Sequence, residues 1–164
     1  MSIWKIGAVG ACIGFAGIAS AQVPVPNPFN LTYRIGAFLP LTDSGRDIGE
    51  NWLAFGVDWP LVSAGVPMTG VGGSGFVSLD YYEKDGNRSI PIMLNYSAGY
   101  SGLRYVSGFG FGFNKLEGGD SKIVVQYMVG FSYDLSGPLS LHGRYWQASD
   151  SELRGIAVYL GARF

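Results

Sequence analysis

The chain has a single cysteine, Cys12, a single histidine, His142, and charged side chains at only 14% of its positions. Cys12 lies in an N-terminal segment expected to be removed, which excludes disulfides, thiolate metal sites and a cysteine nucleophile from the remainder. One imidazole cannot build a histidine-rich metal centre, and only carboxylate ligation of calcium stays open. Neither sign of charge dominates, with 11 Lys and Arg against 12 Asp and Glu. No basic patch or stripe is present, so nucleic acid is not an expected partner. Beyond the N-terminal segment no apolar run approaches the length of a membrane helix. Glycine-rich stretches such as Gly108 to Gly112 are not followed by a helical pattern, so they do not form a phosphate-cradling loop. No cofactor is implied.

The first 21 residues read as a secretory signal peptide: one positive charge at Lys5, an apolar run from Ile6 to Ala19, and the small-residue site Ala19-Ser20-Ala21. Too little apolar sequence precedes Cys12 for it to act as a lipid-anchored cysteine. Residues 22–30, with Pro24, Pro26 and Pro28, form an extended lead-in, and residues 31–164 form one domain. An exported product follows, but a signal peptide alone is equally compatible with a soluble periplasmic protein.

Glycine and aromatic residues are abundant, with 26 Gly and 15% Phe, Tyr and Trp. After residue 30 the pattern is alternation with period two and no helical periodicity. Eight segments are expected as strands, at about 31–40, 51–61, 75–84, 89–100, 103–115, 122–135, 138–148 and 154–164. Turn-forming clusters separate them, among them Thr42-Asp43-Ser44-Gly45, Asp85-Gly86-Asn87 and Ser136-Gly137-Pro138. The longest connection is expected at Val62–Ser74, and Trp52, which breaks the parity, is expected in the connection before its strand.

Within each segment one parity is bulky and apolar and the other small or polar. Leu31, Tyr33, Ile35, Ala37 and Leu39 oppose Thr32, Arg34 and Gly36; Leu53, Phe55, Val57 and Trp59 oppose Ala54, Gly56 and Asp58. Phe109, Phe111 and Phe113 oppose Gly108, Gly110 and Gly112. The last segment sets Ile156, Val158, Leu160, Ala162 and Phe164 against Gly155, Ala157, Tyr159, Gly161 and Arg163. The bulky set is too large for the interior of an eight-stranded ring, which is barely wide enough for side chains. The polar set carries too few charges for a well-solvated exterior. Inversion suits both faces: aromatics to lipid, Gly, Ser, Arg and Asp to the lumen. Tyr127 and Tyr133, six residues apart on one face, fit two interfacial girdles, which Trp59 and Tyr105 could join.

This pattern, closed by a strand ending on Phe164, resembles the small eight-stranded bacterial outer-membrane barrels of the OmpA, OmpX and OmpW type. The resemblance implies an all-β, antiparallel, up-and-down transmembrane barrel in the outer membrane. It also implies that Phe164 is the signal read by the barrel-assembly machinery, and that both termini are periplasmic. The connections near 41–50, 85–88, 116–121 and 149–153 would then face outside. The 62–74 connection departs from the pattern, because the longest loop would fall on the inner side.

Arg34, Asp58, Asp80, Arg104, Asp134, Arg144 and Arg163 fall on the inward parity, four Arg with three Asp. Charges there must be paired, and the forked guanidinium can bridge two carboxylates. A salt-bridge network plugging the lumen is expected. The reading is a non-enzymatic, monomeric, porin-like barrel in outer-membrane lipid, structural or concerned with small solutes. Two alternatives remain: an outer-membrane lipid hydrolase and an exported soluble β-sandwich or barrel that binds a ligand. The hydrolase would draw on Ser140 and His142. As same-face neighbours in a strand they are expected about 6.5–7 Å apart, beyond hydrogen-bond reach.

Overall fold

The computed structural model describes residues 31–65, 72–115, 119–149 and 153–163. The expected signal peptide, the lead-in and Phe164 lie outside them. The strands are β1 (Thr32–Pro40), β2 (Trp52–Gly65), β3 (Gly72–Lys84), β4 (Asn87–Tyr100), β5 (Leu103–Lys115), β6 (Lys122–Asp134), β7 (Leu139–Ala148) and β8 (Gly155–Arg163). Each pairs antiparallel with its sequence neighbours, and β1 pairs with β8, so the eight form one closed barrel. The fold class read from the alternation is therefore the observed one: a single sheet closed on itself, not two stacked sheets.

Two tight turns carry the left-handed backbone that two-residue hairpin loops require. They are Asp85-Gly86, with φ of 49° and 81°, and Ser101-Gly102, with φ of 53° and 84°. A six-residue helix, α1 (Asp43–Ile48), interrupts the β1–β2 connection where only turn residues were expected. It is too short to leave a periodic signature. The Thr42 side chain caps it by accepting from the Gly45 N–H at 3.3 Å.

The expected long connection at 62–74 is not found. β2 and β3 continue past Pro60 and pair as far as Gly65 opposite Gly72, leaving only 66–71 between them. Pro60, which falls inside the expected second segment, lacks the N–H that a strand ladder uses. Here the register shifts between Pro60 and Val62, and this bulge accommodates the proline. The small residues of Ser63-Ala64-Gly65 and Gly72-Gly73-Ser74 show no alternation, so the sequence pattern is silent there. The α1-bearing connection lies at the barrel end opposite Thr32 and Arg163.

The inversion of the faces is plain. Outward side chains include Ile35, Phe55, Trp59, Leu79, Phe111, Phe131, Val158 and Leu160, all exposed, with Ile35 and Phe111 at 54%. Apolar surface on this scale, continuous round a barrel, is far beyond what a soluble monomer presents. Tyr33, Trp59, Tyr100, Tyr105 and Tyr133 form an exposed aromatic girdle toward the end that carries Thr32 and Arg163. Tyr127 stands nearer the other end, so Tyr127 and Tyr133 do mark different heights on β6. Among the described residues no helix is long and apolar enough to cross a membrane.

Candidate functional site: the lumen

The lumen is filled in layers. At the α1 end Phe38, Trp52, Tyr82 and Trp146 interlock. Phe38 stacks on Tyr82 with centroids 4.6 Å apart, and Trp52 and Trp146 pack edge-on at 5.9 and 5.7 Å. Ile48 of α1 packs against this cluster and the Trp52 indole donates to the Gly49 carbonyl at 3.1 Å, so the helix lies over the plugged end. Trp52 is thus not a connection residue. It begins β2 on the inward parity, in phase with Ala54, Gly56 and Asp58, and is 1% exposed. Its bulk made it look out of phase, whereas its position was in phase.

Below the aromatic layer sits a closed ring of charge. Arg34 donates through one Nη to Asp80 at 2.8 Å and through the other to Asp58 at 2.7 Å. Arg144 reaches the remaining oxygens of the same two carboxylates, at 2.8 Å to Asp58 and 3.5 Å to Asp80. Two guanidiniums and two carboxylates cancel, and each fork bridges both acids. The Tyr159 hydroxyl donates to Asp80 at 2.8 Å and lies 2.9 Å from the Tyr82 hydroxyl, tying the ring to the aromatic layer. The Tyr159 ring also lies beneath the Arg34 guanidinium, 4.7 Å from centroid to Cζ. Space for Arg34 comes from Gly56, where a Cβ would fall 2.6 Å from the guanidinium carbon.

The expected seven-residue network therefore divides. Arg34, Asp58, Asp80 and Arg144 come together, whereas Arg104 and Asp134 form a separate, partly exposed pair at 3.0 Å. Arg163 is exposed at the terminal rim, and the structure does not bring it to the ring. The parity rule assigns a face but not a height, so it could not separate the mid-barrel charges from those at the rim. The same rule places Tyr159 inward, but nothing in the pattern marks its hydroxyl, or that of Tyr82, as part of a charge network.

On the terminal side of the ring lies a cavity of about 220 Å³, whose lining includes Thr32, Ser97, Ser132, His142, Arg104 and Arg163. Ser140 and His142 stand beside it, and here the expected separation is overturned. Ser140 Oγ lies 2.8 Å from His142 Nε2. Backbone spacing sets the distance between their Cα atoms, but the side chains lean together over Gly161. A Cβ at Gly161 would lie 2.6 Å from Nε2 and 2.7 Å from Oγ. Among the described residues no group of three or more His, Cys, Asp or Glu is placed to hold a metal ion.

No protein-family model matches the chain, and neither does any curated protein. Among solved structures it is similar to a protein from the de novo design of transmembrane β-barrels, with a TM-score of 0.52 and 14% identity over 87% of this chain and 100% of that one. The fold is that of a transmembrane β-barrel. The chain is also similar to the outer membrane protein Ail of Yersinia pestis, whose backbone structure was obtained in a phospholipid bilayer nanodisc. That match has a TM-score of 0.44 and 12% identity over 82% of this chain and 99% of that one. In a transmembrane barrel of this size the lumen is narrow, and here aromatic rings and paired charges occupy it.

Proposed function

We propose that the protein is an integral outer-membrane β-barrel with a non-enzymatic role, structural or concerned with small solutes, and a lumen closed by its own side chains. The observation that carries this reading is the inverted barrel, with an exposed apolar belt outside and a neutral, fully bridged charge ring inside. Membership of the OmpA, OmpX and OmpW type belongs to the same proposal. So do monomeric insertion into outer-membrane lipid, periplasmic termini, and recognition of Phe164 by the barrel-assembly machinery. The test is fractionation. The protein is expected in the outer-membrane fraction, migrating differently in gels before and after boiling, as detergent-resistant barrels do. Recovery as a soluble periplasmic species would remove the proposal.

The plugged lumen makes a separate expectation. In planar bilayers the wild-type protein should show no large, steady conductance, because the aromatic layer and the charge ring lie in series along the lumen. A stable open level would instead favour a solute channel. A lipid-acting hydrolase is the second reading, favoured by the Ser140–His142 contact; labelling of Ser140 by a fluorophosphonate probe would promote it.

A further inference from the structure

Two cations stand side by side on the outer wall at the α1 end. Arg88 on β4 and Lys115 on β5 are direct cross-strand partners, both exposed and both on the outward parity. Like charges at directly opposed positions repel and weaken the strand pair. Among the described residues neither side chain makes an ion pair. Glu83, opposite Arg88 across the β3–β4 ladder, accepts from the Tyr81 hydroxyl at 2.9 Å. Asp85, at the adjoining turn, pairs with Lys84 at 3.4 Å. Immediately below the two cations the same ladder carries Ile90 opposite Phe113 and Ile92 opposite Phe111, all outward and apolar.

We propose that Arg88 and Lys115 form a docking site for the phosphate of an anionic lipid in the leaflet at the α1 end. The inference rests on the membrane reading above. A phosphate between the two cations turns their repulsion into two charge-assisted contacts, since its oxygens can accept from the Arg88 fork and the Lys115 ammonium together. The acyl chains of the same lipid would run down over Ile92, Phe111 and Phe113. A free phosphate ion would gain the first contact but not the second, so the apolar ladder beneath the cations selects a lipid. Juxtamembrane Lys and Arg gain in the same way near any anionic headgroup surface.

The experiment compares the full-length folded protein with Arg88→Gln/Lys115→Gln in phosphatidylcholine nanodiscs, with and without phosphatidylglycerol. Lipid retained after detergent extraction is read by native mass spectrometry, and stability by the temperature at which gel migration shifts. The wild-type protein should retain phosphatidylglycerol and melt higher in its presence. The double variant should retain roughly tenfold to thirtyfold less and lose the shift. Both positions are exposed, so the variant is expected to fold; if it does not, retention by the wild-type protein must fall steeply with added salt. Equal retention by the two proteins would overturn the site. So would an equal shift from inorganic phosphate in phosphatidylcholine alone, which would show a free-ion site. Failure of the wild-type protein to enter any nanodisc would remove the membrane reading together with this one, whereas normal insertion with equal retention removes this one alone.

Discussion

Replacing Arg34 with Met should destabilise the folded barrel by about 3–5 kcal/mol, because Asp58 and Asp80 would then share the single counter-charge of Arg144. The side chain of Arg34 is wholly buried, at 0% exposure, and so is that of Asp80. Water cannot easily replace the lost guanidinium. Reversible urea titration of the protein in micelles or vesicles measures the loss. Combining Arg34→Met with Asp58→Asn should cost less than the sum of the two single changes by about 0.5–3 kcal/mol. The double variant leaves Arg144 and Asp80 as a neutral pair, whereas each single variant strands a charge. Additive costs would show that these groups are solvated, and the ring would then be no plug.

The other large effect belongs to the seam. Gly36 on β1 faces Tyr159 on β8, and a Cβ built there would overlap the Val158 carbonyl oxygen and lie 2.8 Å from the Tyr159 Cα. Both obstacles are backbone, so no side-chain rotation relieves them. Gly36→Val should therefore cost about 3 kcal/mol or more and sharply lower the fraction that resists boiling-dependent unfolding in gels. Ala37→Val, one residue along and facing outward, should be nearly neutral and serves as the control. A wild-type folded yield for Gly36→Val would mean that the β1–β8 pairing is looser than its register implies.

How far the sequence could be read depends on which physical rule each residue obeys. Side-chain direction in a strand has period two, so Arg34, Asp58, Asp80 and Arg144 could be placed on one face without any three-dimensional information. Their meeting could not be read, because it depends on the relative stagger of five strands, β7, β8, β1, β2 and β3, which alternation does not encode. Pro60 and the small residues after it concealed the length of the β2–β3 hairpin, since a bulge and a glycine-rich ladder have no period to detect. Backbone spacing alone sets Ser140 and His142 apart, and the room at Gly161 that lets them meet has no signature in the alternation. Trp52 breaks the expected parity for the opposite reason: its size masks an inward position, for which glycines on the same face make space.

The charge ring also bears on the order in which the barrel assembles. Asp58 and Arg144 are 86 residues apart in the chain, and Asp80 and Tyr159 are 79 apart. These contacts cross the seam between β8 and β1, so none of them exists until the first and last strands meet. An unclosed ribbon would hold Arg34, Asp58 and Asp80 on one flank, with a net charge of −1, and Arg144 on the other, with +1. Neither flank is neutral, and either would be poorly tolerated in hydrocarbon. Closure neutralises both flanks in one step and, because such distant pairings form slowly, should be late and all-or-none. Half-zipped forms would then be driven forward to the ring or back out of the bilayer, and would not accumulate within it.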